Sequence, residues 1–464
     1  MVEHKPQLVR GLGLAAASSI VVGTVIGTGI FLVTSSMLAA VKSPWVLILV
    51  WIAGALLSLF GALTYAELGA MLPEAGGEFV FLRRSYGKLP AYLYGWTLFS
   101  VAKPGSIAAQ ATGFALFVTV LFPSLDVTWQ QFVFHPGGGR EFILRIGGIQ
   151  AIAVTMVLLL SAANARGVKI GGGIQTVFTV CKVGGILALV ALGFGLGKGD
   201  WGHFEERAIG NIGSSAWALF GVALIQALWA YDGWNNLPMV AGEVKQPQKN
   251  VPRALIVGMM LVGGLYIVTN VAYVYVLAPD QIAASTRVAS SVASELLGQS
   301  GANFIALVAA ISTFASLNGS ILTGSRVPYA AARDGLLFRP LARIHPRWLT
   351  PHISIAVQAS FAIALVFSGT FSEIITYVIF SEWVFYALVT SGVFLLRRRE
   401  PDLPRPYRTW GYPWVPAGFV ICSLLLLVNI LIEQPMQSGF GLLIIVSGLL
   451  FYPMFRKRNA TQEA

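Results

Sequence analysis

The chain has 464 residues, of which 56% are hydrophobic and only 11% are charged. Soluble globular domains carry about 25% charged residues, so this chain has too few charges to cover two or three soluble domains. The apolar content excludes a disordered protein. The two cysteines, Cys181 and Cys422, are too few for a disulfide scaffold. The composition therefore predicts a helical protein with many membrane spans.

Apolar segments long enough to cross a bilayer recur along the chain. A span needs about 20 apolar residues, because the hydrocarbon core is about 30 Å thick and a helix rises about 1.5 Å per residue. Such segments are helical because a helix satisfies its own backbone hydrogen bonds in lipid. Twelve segments, numbered here as spans 1 to 12, meet this standard: 12–41, 45–72, 90–122, 143–163, 171–196, 213–242, 251–277, 302–334, 352–369, 372–397, 412–432 and 436–455.

Basic residues are distributed unevenly between the two sides of this topology. With the N-terminus in the cytoplasm, 22 of the 31 Lys and Arg residues lie in inside segments or at the inner ends of spans, six lie in outside loops or at an outer span end, and three lie deeper within spans. Cytoplasmic loops of membrane proteins carry such an excess. We therefore expect a multi-pass cell-membrane protein with both termini in the cytoplasm. Its net charge of +11 would face anionic lipid and not a nucleic acid.

The spacing of the spans predicts an internal repeat. Spans 1 and 6 begin about 201 residues apart, and spans 5 and 10 end at the same separation. Because each block contains five spans, an odd number, the second block crosses the membrane in the opposite orientation to the first. Such inverted repeats are common in secondary transporters. The predicted organisation is a cytoplasmic tail at 1–11, a first repeat at 12–196, a second repeat at 213–397, two peripheral helices at 412–455 and a cytoplasmic tail at 456–464.

Helix-breaking sequences occur in the first span of each repeat. Span 1 contains GTVIGTGIF from Gly23, and span 6 contains LWAYDGWNN from Leu228. A glycine costs about 1 kcal/mol relative to alanine within a helix, so clustered glycines favour a break. An alternative interpretation of span 1 is a small-residue face for helix packing, which the spacing of Gly23 and Gly27 also fits.

Together the two breaks suit the two charges of an α-amino acid. An unwound span 1 would begin a half-helix whose free N–H groups bind a carboxylate. Those N–H groups belong to Thr28, Gly29 and Ile30. An unwound span 6 would free carbonyl groups that accept hydrogen bonds from an ammonium. Those carbonyls belong to Trp229, Ala230 and Asp232.

The same motifs resemble those of the amino acid–polyamine–organocation superfamily, and within it the L-amino-acid transporter family. The resemblance covers about residues 11–455, and its most specific parts are GTVIGTGIF and ALWAYDGWNNLPMVAGEVKQPQKNVPRA. It implies an all-α fold like that of the bacterial leucine transporter, with helices 1 and 6 broken and no cofactor. It also implies alternating-access transport of L-amino acids by a sodium-independent exchanger. A proton-coupled uptake permease is the alternative.

The resemblance assigns substrate contacts to both breaks. The family's aromatic gate falls on Trp229, which could otherwise be an ordinary packing aromatic. Asn235 matches a polar position that helps to hold the unwound segment. The family's contacts with the substrate carboxylate fall on Thr28 and Gly29, and Val25 and Gly27 line the same break. The carbonyls that bind the substrate amine belong to Val25, Trp229 and Asp232.

Asp232 lies where many family members have glycine. The string LWAYDGWN resembles the light chain of the mammalian exchanger of cystine, dibasic and neutral amino acids, in which the aspartate helps to accept cationic side chains. A carboxylate within a bilayer costs roughly 2.5–3.5 kcal/mol and needs a partner. Three roles stay open: contact with a cationic substrate, pairing within the protein, for example with Lys182, and transfer of a proton.

Lys182 lies about ten residues from either end of span 5, too deep to reach the membrane surface by snorkelling. The resemblance implies that its ammonium replaces the sodium ion of sodium-coupled relatives. It would then bridge the broken first helix to span 8, which argues for sodium independence. Whether this lysine also cycles a proton stays open.

The sequence contains no motif typical of a membrane-embedded enzyme or a metal site, since its five histidines are scattered. We therefore expect no enzymatic activity and no bound metal. In animal light chains, a cysteine between spans 3 and 4 links to a heavy-chain glycoprotein. The corresponding loop, 123–142, contains no cysteine. The expected partners are amino acid substrates and the lipid bilayer, without a disulfide-linked heavy chain.

Overall fold

The computed structural model describes residues 7–137, 140–206, 208, 216–367, 371–433 and 435–463. Long apolar runs in these segments form helices. The first eight are α1 (Leu14–Val25), α2 (Gly29–Val41), α3 (Pro44–Met71), α4 (Glu78–Tyr86), α5 (Lys88–Thr97), α6 (Lys103–Leu121), α7 (Gly148–Ala165) and α8 (Val168–Gly195).

Eleven further helices follow in the second part of the chain. They are α9 (Ala216–Ala230), α10 (Asn236–Met239), α11 (Pro247–Val276), α12 (Pro279–Ala284), α13 (Val288–Leu297), α14 (Gln299–Gly324), α15 (Arg326–Arg333), α16 (His352–Val366), α17 (Phe371–Arg399), α18 (Trp414–Glu433) and α19 (Pro435–Glu463). A turn of π-helix at Leu98–Ala102 joins α5 to α6.

Within the described residues, nine helical segments are long and apolar enough to cross a membrane. Three shorter apolar helices are Leu219–Ala230, Val288–Leu297 and His352–Val366. The multi-span helical architecture is therefore confirmed, whereas the count of twelve spans stays a prediction. The nine segments are Leu14–Val41, Pro44–Met71, Lys88–Leu121, Gly148–Ala165, Val168–Gly195, Pro247–Val276, Gln299–Arg333, Trp414–Ile432 and Ser438–Phe455.

One loop departs from the all-α prediction. Strands β1 (Thr128–Gly137) and β2 (Arg140–Gly147) pair antiparallel, with Phe132 opposite Leu144. The prediction that span 4 begins at residue 143 is therefore wrong, because α7 begins at Gly148. Aromatic and β-branched residues favour strands, and the apolar end of β2 runs directly into the helix. Hydropathy therefore does not separate the strand from the span.

Both parts of the broken first span lie deep in the bundle. Helix α1 packs against α8, α11 and α14, while α2 packs against α9. A Cβ atom on Gly23 would lie only 2.1 Å from Nε2 of Gln175 and 2.3 Å from Oγ1 of Thr179. Glycine at this position therefore lets α1 approach α8 closely. The packing interpretation holds for Gly23, although the helix breaks a few residues later.

Candidate functional site

The structure breaks both helices in which the sequence predicts a break. Helix α1 ends at Val25 and α2 begins at Gly29. Between them, the N–H of Gly27 donates to the carbonyl of Val25 at 2.8 Å, which closes a tight turn. In span 6, α9 ends at Ala230, and a turn at 231–235 precedes α10.

These two breaks lie directly against each other. A Cβ atom on Gly29 would lie 2.7 Å from Cβ and 2.9 Å from Cα of Ala230. Gly233 has a φ angle of +118°, and a Cβ atom there would lie 2.9 Å from the carbonyl oxygen of Thr24. The hydroxyl of Thr24 donates to the Gly233 carbonyl at 2.8 Å. Residues more than 200 positions apart in the sequence therefore form one polar region.

The start of α2 is an uncapped helix N-terminus. Thr28 precedes it in a helical conformation, and its side chain makes no capping hydrogen bond. The first N–H groups of a helix lack partners within it, and such an end attracts an anion. Gly27 and Thr28 are partly exposed, although Val25 and Ile30 beside them are buried. The predicted carboxylate-binding residues thus form a helix end that borders accessible space.

The carbonyls predicted to bind the amine already accept hydrogen bonds. Tyr266 of α11 has its hydroxyl 3.1 Å from the carbonyl oxygen of Val25 and 3.3 Å from that of Ala230. The carbonyl of Trp229 accepts from the N–H of Asp232 at 3.2 Å. A carbonyl oxygen has two lone pairs, so the carbonyls of Trp229 and Ala230 can still accept from a substrate. The carbonyl of Val25 accepts from both Gly27 and Tyr266, so a substrate amine would have to replace one of these donors. Trp229 is partly exposed and lies beside the start of α2.

Tyr266 was not among the predicted site residues, although the sequence contains a signal for it. Tyr266, Asn270 and Tyr273 follow each other at helical spacing on α11. Thr34 of α2 donates to Asn270 at 2.6 Å, and Tyr273 donates to the carbonyl of Ile30 at 3.3 Å. A stripe of polar residues at positions i, i+4 and i+7 in an apolar span indicates a face that contacts another polar element.

Asp232 pairs with a tyrosine of α17. Its Oδ1 accepts a hydrogen bond from the hydroxyl of Tyr386 at 2.8 Å, and the aspartate is partly exposed. The suggested pairing of Asp232 with Lys182 is wrong, because the ammonium of Lys182 binds a different set of atoms. Asp232 therefore combines a partner within the protein with partial exposure.

Lys182 is fully buried and binds neutral oxygen atoms. Its Nζ donates to the carbonyls of Gly23 at 2.8 Å, Ile26 at 2.5 Å and Ser312 at 2.9 Å. Ser316 adds a hydroxyl oxygen at 3.3 Å. The ammonium therefore bridges the break in span 1 to α14, as the resemblance implies. The contribution of this contact to transport stays a prediction.

Asn235 connects the end of the second break to α4. Its Nδ2 donates to Oε1 of Glu78 at 2.8 Å, and the carboxylate also accepts from the hydroxyl of Tyr94 at 3.0 Å. Glu78 was not among the predicted site residues. Its burial depends on contacts with residues far away in sequence, which no local pattern reveals. In the part of the chain that the structure describes, no cluster of three His, Cys, Asp or Glu could hold a metal.

Comparisons with known proteins agree with the motifs. A profile of the amino acid permease family matches residues 12–452. The mouse b(0,+)-type amino acid transporter 1 is 31% identical over 451 residues, which cover 97% of this chain and 88% of that protein. The serine/threonine exchanger SteT of Bacillus subtilis (strain 168) is 32% identical over 459 residues, which cover 98% of each protein. The human cystine/glutamate transporter is 30% identical over 457 residues, which cover 98% of this chain and 86% of that protein.

These matches extend over nearly the whole chain and are not limited to a shared fragment. They confirm the resemblance drawn from the sequence motifs. They also confirm the expectation that the chain is a transporter and not an enzyme. This protein belongs to the amino acid permease family.

Proposed function

We propose that this protein is a sodium-independent exchanger that moves neutral and cationic L-amino acids across the cell membrane by alternating access. The observation that carries the proposal is the direct contact of the two helix breaks at Gly29 and Ala230. It brings a positive helix end and a group of carbonyl oxygens together within the bundle. An amino acid carries a carboxylate and an ammonium that match these two features.

In this proposal, the substrate carboxylate binds the start of α2 and the ammonium binds carbonyls of both breaks. Trp229 acts as the gate beside the substrate, Asn235 holds the unwound segment, and Asp232 accepts cationic side chains. The proposed substrate-binding residues are Val25, Gly27, Thr28, Gly29, Ile30, Trp229, Ala230, Asp232 and Asn235. Partial exposure of Thr28, Trp229 and Asp232 supports their access to a ligand.

Sodium independence is supported by the four oxygen atoms around Lys182. Oxygen atoms of this kind also bind hard cations. A tethered ammonium at their centre supplies the positive charge, so the break in span 1 needs no sodium ion to neutralise its carbonyls.

We further propose twelve spans, with inverted repeats at 12–196 and 213–397 and peripheral helices at 412–455. The breaks in spans 1 and 6 support the repeat because they lie at matching positions of the two blocks. The excess of basic residues in alternate loops supports cytoplasmic tails at 1–11 and 456–464. The loop at 123–142 lacks a cysteine, which supports a protein without a disulfide-linked heavy chain.

The names of two relatives favour amino acid transport by exchange. One relative is named as a serine/threonine exchanger, and another as a b(0,+)-type amino acid transporter. The latter is the kind of transporter that the LWAYDGWN string resembles.

Counterflow into proteoliposomes tests the proposal. The purified protein is reconstituted in sodium-free buffer, and the liposomes are either loaded with unlabelled leucine or left empty. Entry of labelled arginine, leucine and alanine is then measured with and without a pH gradient, and protein-free liposomes serve as the control. We expect rapid entry of labelled arginine and leucine into loaded liposomes and little entry into empty ones.

The other outcomes are equally informative. Entry into empty liposomes that needs a pH gradient would contradict exchange and establish proton-coupled uptake. Entry that needs sodium would contradict the proposed role of Lys182. If no amino acid enters under any condition, the proposal fails as a whole.

A further inference from the structure

Two side-chain amides join a buried cation to a buried anion beside the break in span 6. Nζ of Lys103 donates to Oδ1 of Asn236 at 2.5 Å, and Nδ2 of Asn236 lies 3.3 Å from Oδ1 of Asn235. Nδ2 of Asn235 then donates to Oε1 of Glu78 at 2.8 Å. We call these four residues the amide relay. It connects α4 to α6 through the end of the unwound segment.

The charges at its two ends determine how both amides are oriented. An ammonium can only donate hydrogen bonds, and an ionised carboxylate can only accept them. Asn236 therefore turns its oxygen towards Lys103, which leaves its nitrogen to donate to the carbonyl of Gly233 at 2.8 Å. Asn235 turns its nitrogen towards Glu78 and its oxygen towards Asn236. Reversal of either amide would place two donors against each other at Lys103, or two acceptors against each other at Glu78.

Both ends of the relay are buried and further tied to the bundle. Glu78 is 0% exposed and Lys103 is 4% exposed. Tyr94 donates to the second carboxylate oxygen of Glu78 at 3.0 Å, and Thr323 of α14 donates to Oδ1 of Asn236 at 2.8 Å. A buried charge needs both a counter-charge and hydrogen bonds to offset its lost hydration. Here Glu78 is linked to Lys103 through the two amides, while Glu382 and Asp232 also act on Lys103 electrostatically.

We propose that Glu78 and Lys103 form a buried charge pair that positions the unwound segment of span 6 by holding Asn235 and Asn236 in fixed orientations. They are positioning residues, because they act on the substrate site through the two asparagines. The inference rests on the proposed exchange function, since the unwound segment supplies the proposed amine-binding carbonyls. It adds two charged residues to a site whose assigned contacts are otherwise backbone atoms, Trp229, Asp232 and Asn235.

Glu78 makes the relay sensitive to pH near neutrality. Burial raises the pKa of Glu78 to about 7, although hydrogen bonds from Asn235 and Tyr94 and the charge of Lys103 lower it. Above this pH the carboxylate is ionised, and the relay has its anionic end. Below it, the protonated carboxyl can itself donate, so the orientation of Asn235 is no longer determined.

Other titratable groups surround the relay. Those that interact electrostatically with Glu78 are Tyr65 of α3, Tyr94 of α5, Lys103 of α6, and Glu382 and Tyr386 of α17. Glu382 also interacts with Lys103 at the other end, as does Asp232 within the break, and both do so more strongly than Glu78. Replacement of Glu78 by glutamine is therefore needed to assign a pH effect to this residue.

The test compares wild type, Glu78→Gln, Lys103→Met and the double variant in proteoliposome exchange between about pH 6 and about pH 8. Glutamine retains the acceptor for Asn235, and methionine retains the apolar stem of the lysine. We expect wild-type exchange to fall by about tenfold as the pH falls through about 7. Glu78→Gln should be slow throughout this range, and the double variant should be faster than Glu78→Gln. Glu295→Gln, which alters an exposed carboxylate of α13, is the matched control and should retain the wild-type pH profile.

Thermal unfolding of the purified proteins gives a second readout that does not depend on transport. The two substitutions should be coupled at about pH 8, where the loss in unfolding temperature of the double variant is smaller than the summed losses of the single variants. At about pH 6 the losses should add, because Glu78 is then protonated. The inference would be overturned if Glu78→Gln kept the pH dependence of the wild type, or if the losses in unfolding temperature were additive at about pH 8. Normal exchange by the wild type would leave the proposed function intact in either case. If wild type exchanges no amino acid, the proposed function fails, and the unfolding data alone decide whether the charge pair exists.

Discussion

Two ionisable residues near the helix breaks have different environments. Lys182 is enclosed by neutral oxygen atoms, so its charge is shared among backbone dipoles of α1 and α14. Asp232 accepts a hydrogen bond from Tyr386, interacts electrostatically with Lys103 and remains partly exposed. The lysine is therefore built into the framework of the break, whereas the aspartate can still contact a ligand.

Replacement of Lys182 should abolish exchange. Lys182→Ala leaves three carbonyls and a hydroxyl without their shared donor in a buried site, so the break in span 1 loses its support. Counterflow of labelled leucine in proteoliposomes measures the effect. Lys169→Ala, which removes an exposed lysine from the same helix, should remain active. A Lys182→Ala variant with full activity would remove this lysine from the mechanism.

Asp232→Asn should reduce exchange of arginine and lysine more than exchange of leucine. Asparagine can still accept the hydrogen bond of Tyr386 but has no charge for a guanidinium or ammonium. Hydrogen bonds to charged groups contribute about 1.5–3 kcal/mol, which corresponds to roughly tenfold or more in transport of the cationic substrates. Competition of each amino acid against labelled leucine measures the difference. Equal losses for both classes would show that Asp232 supports the protein and does not select cations.

At the scale of elements, the contact between α2 and α9 decides where the proposed substrate site lies. Each broken span has its own local cause, since glycines are clustered in span 1 and Gly233 adopts a positive φ angle in span 6. Neither cause determines that the two breaks meet. They meet because α1 and α2 pack among helices of both halves of the chain, including α9 and α11.

Gly29→Ala should impair exchange without reducing helix content. The added Cβ would lie within 2.9 Å of both Cα and Cβ of Ala230, so the two breaks would have to move apart. We expect about a tenfold lower exchange rate, because the carboxylate and amine sites would lose their relative placement. Gly184→Ala is the matched control, since its Cβ would have open space. Equal activity of the two variants would contradict a close contact at Gly29.

At the scale of the whole molecule, the protein is apolar outside and selectively polar inside. Leu425, Ile432 and Leu450 on the last two helices are 64%, 71% and 80% exposed, which suits contact with lipid. The interior instead holds charged residues such as Arg326 and Glu243, both fully buried and joined by a two-point ion pair. Because lipid already solvates apolar side chains, packing and polar contacts must specify how the helices assemble.

The sequence predicted much of the fold because hydropathy and glycine clusters act locally. Spans, helix breaks and the lysine at the first break follow from segments of about 30 residues or from family motifs. The β-hairpin was missed because the apolar end of its second strand runs directly into α7. Three residues were missed as site residues because each depends on a partner far away in the chain. Lys103 bonds to Asn236, Glu78 to Asn235 and Tyr266 to Val25, at separations of 133, 157 and 241 positions.

By itself, the sequence determined that the chain is a helical membrane transporter with helix-breaking segments in two spans. Those properties depend on composition and on short motifs, which act through local backbone energetics and transfer into lipid. The tertiary structure alone decided that the two breaks touch, that Asp232 pairs with Tyr386 instead of Lys182, and that two asparagines join Glu78 to Lys103. These outcomes depend on which distant helices pack together, since hydrogen bonds between side chains form only after the helices are in place.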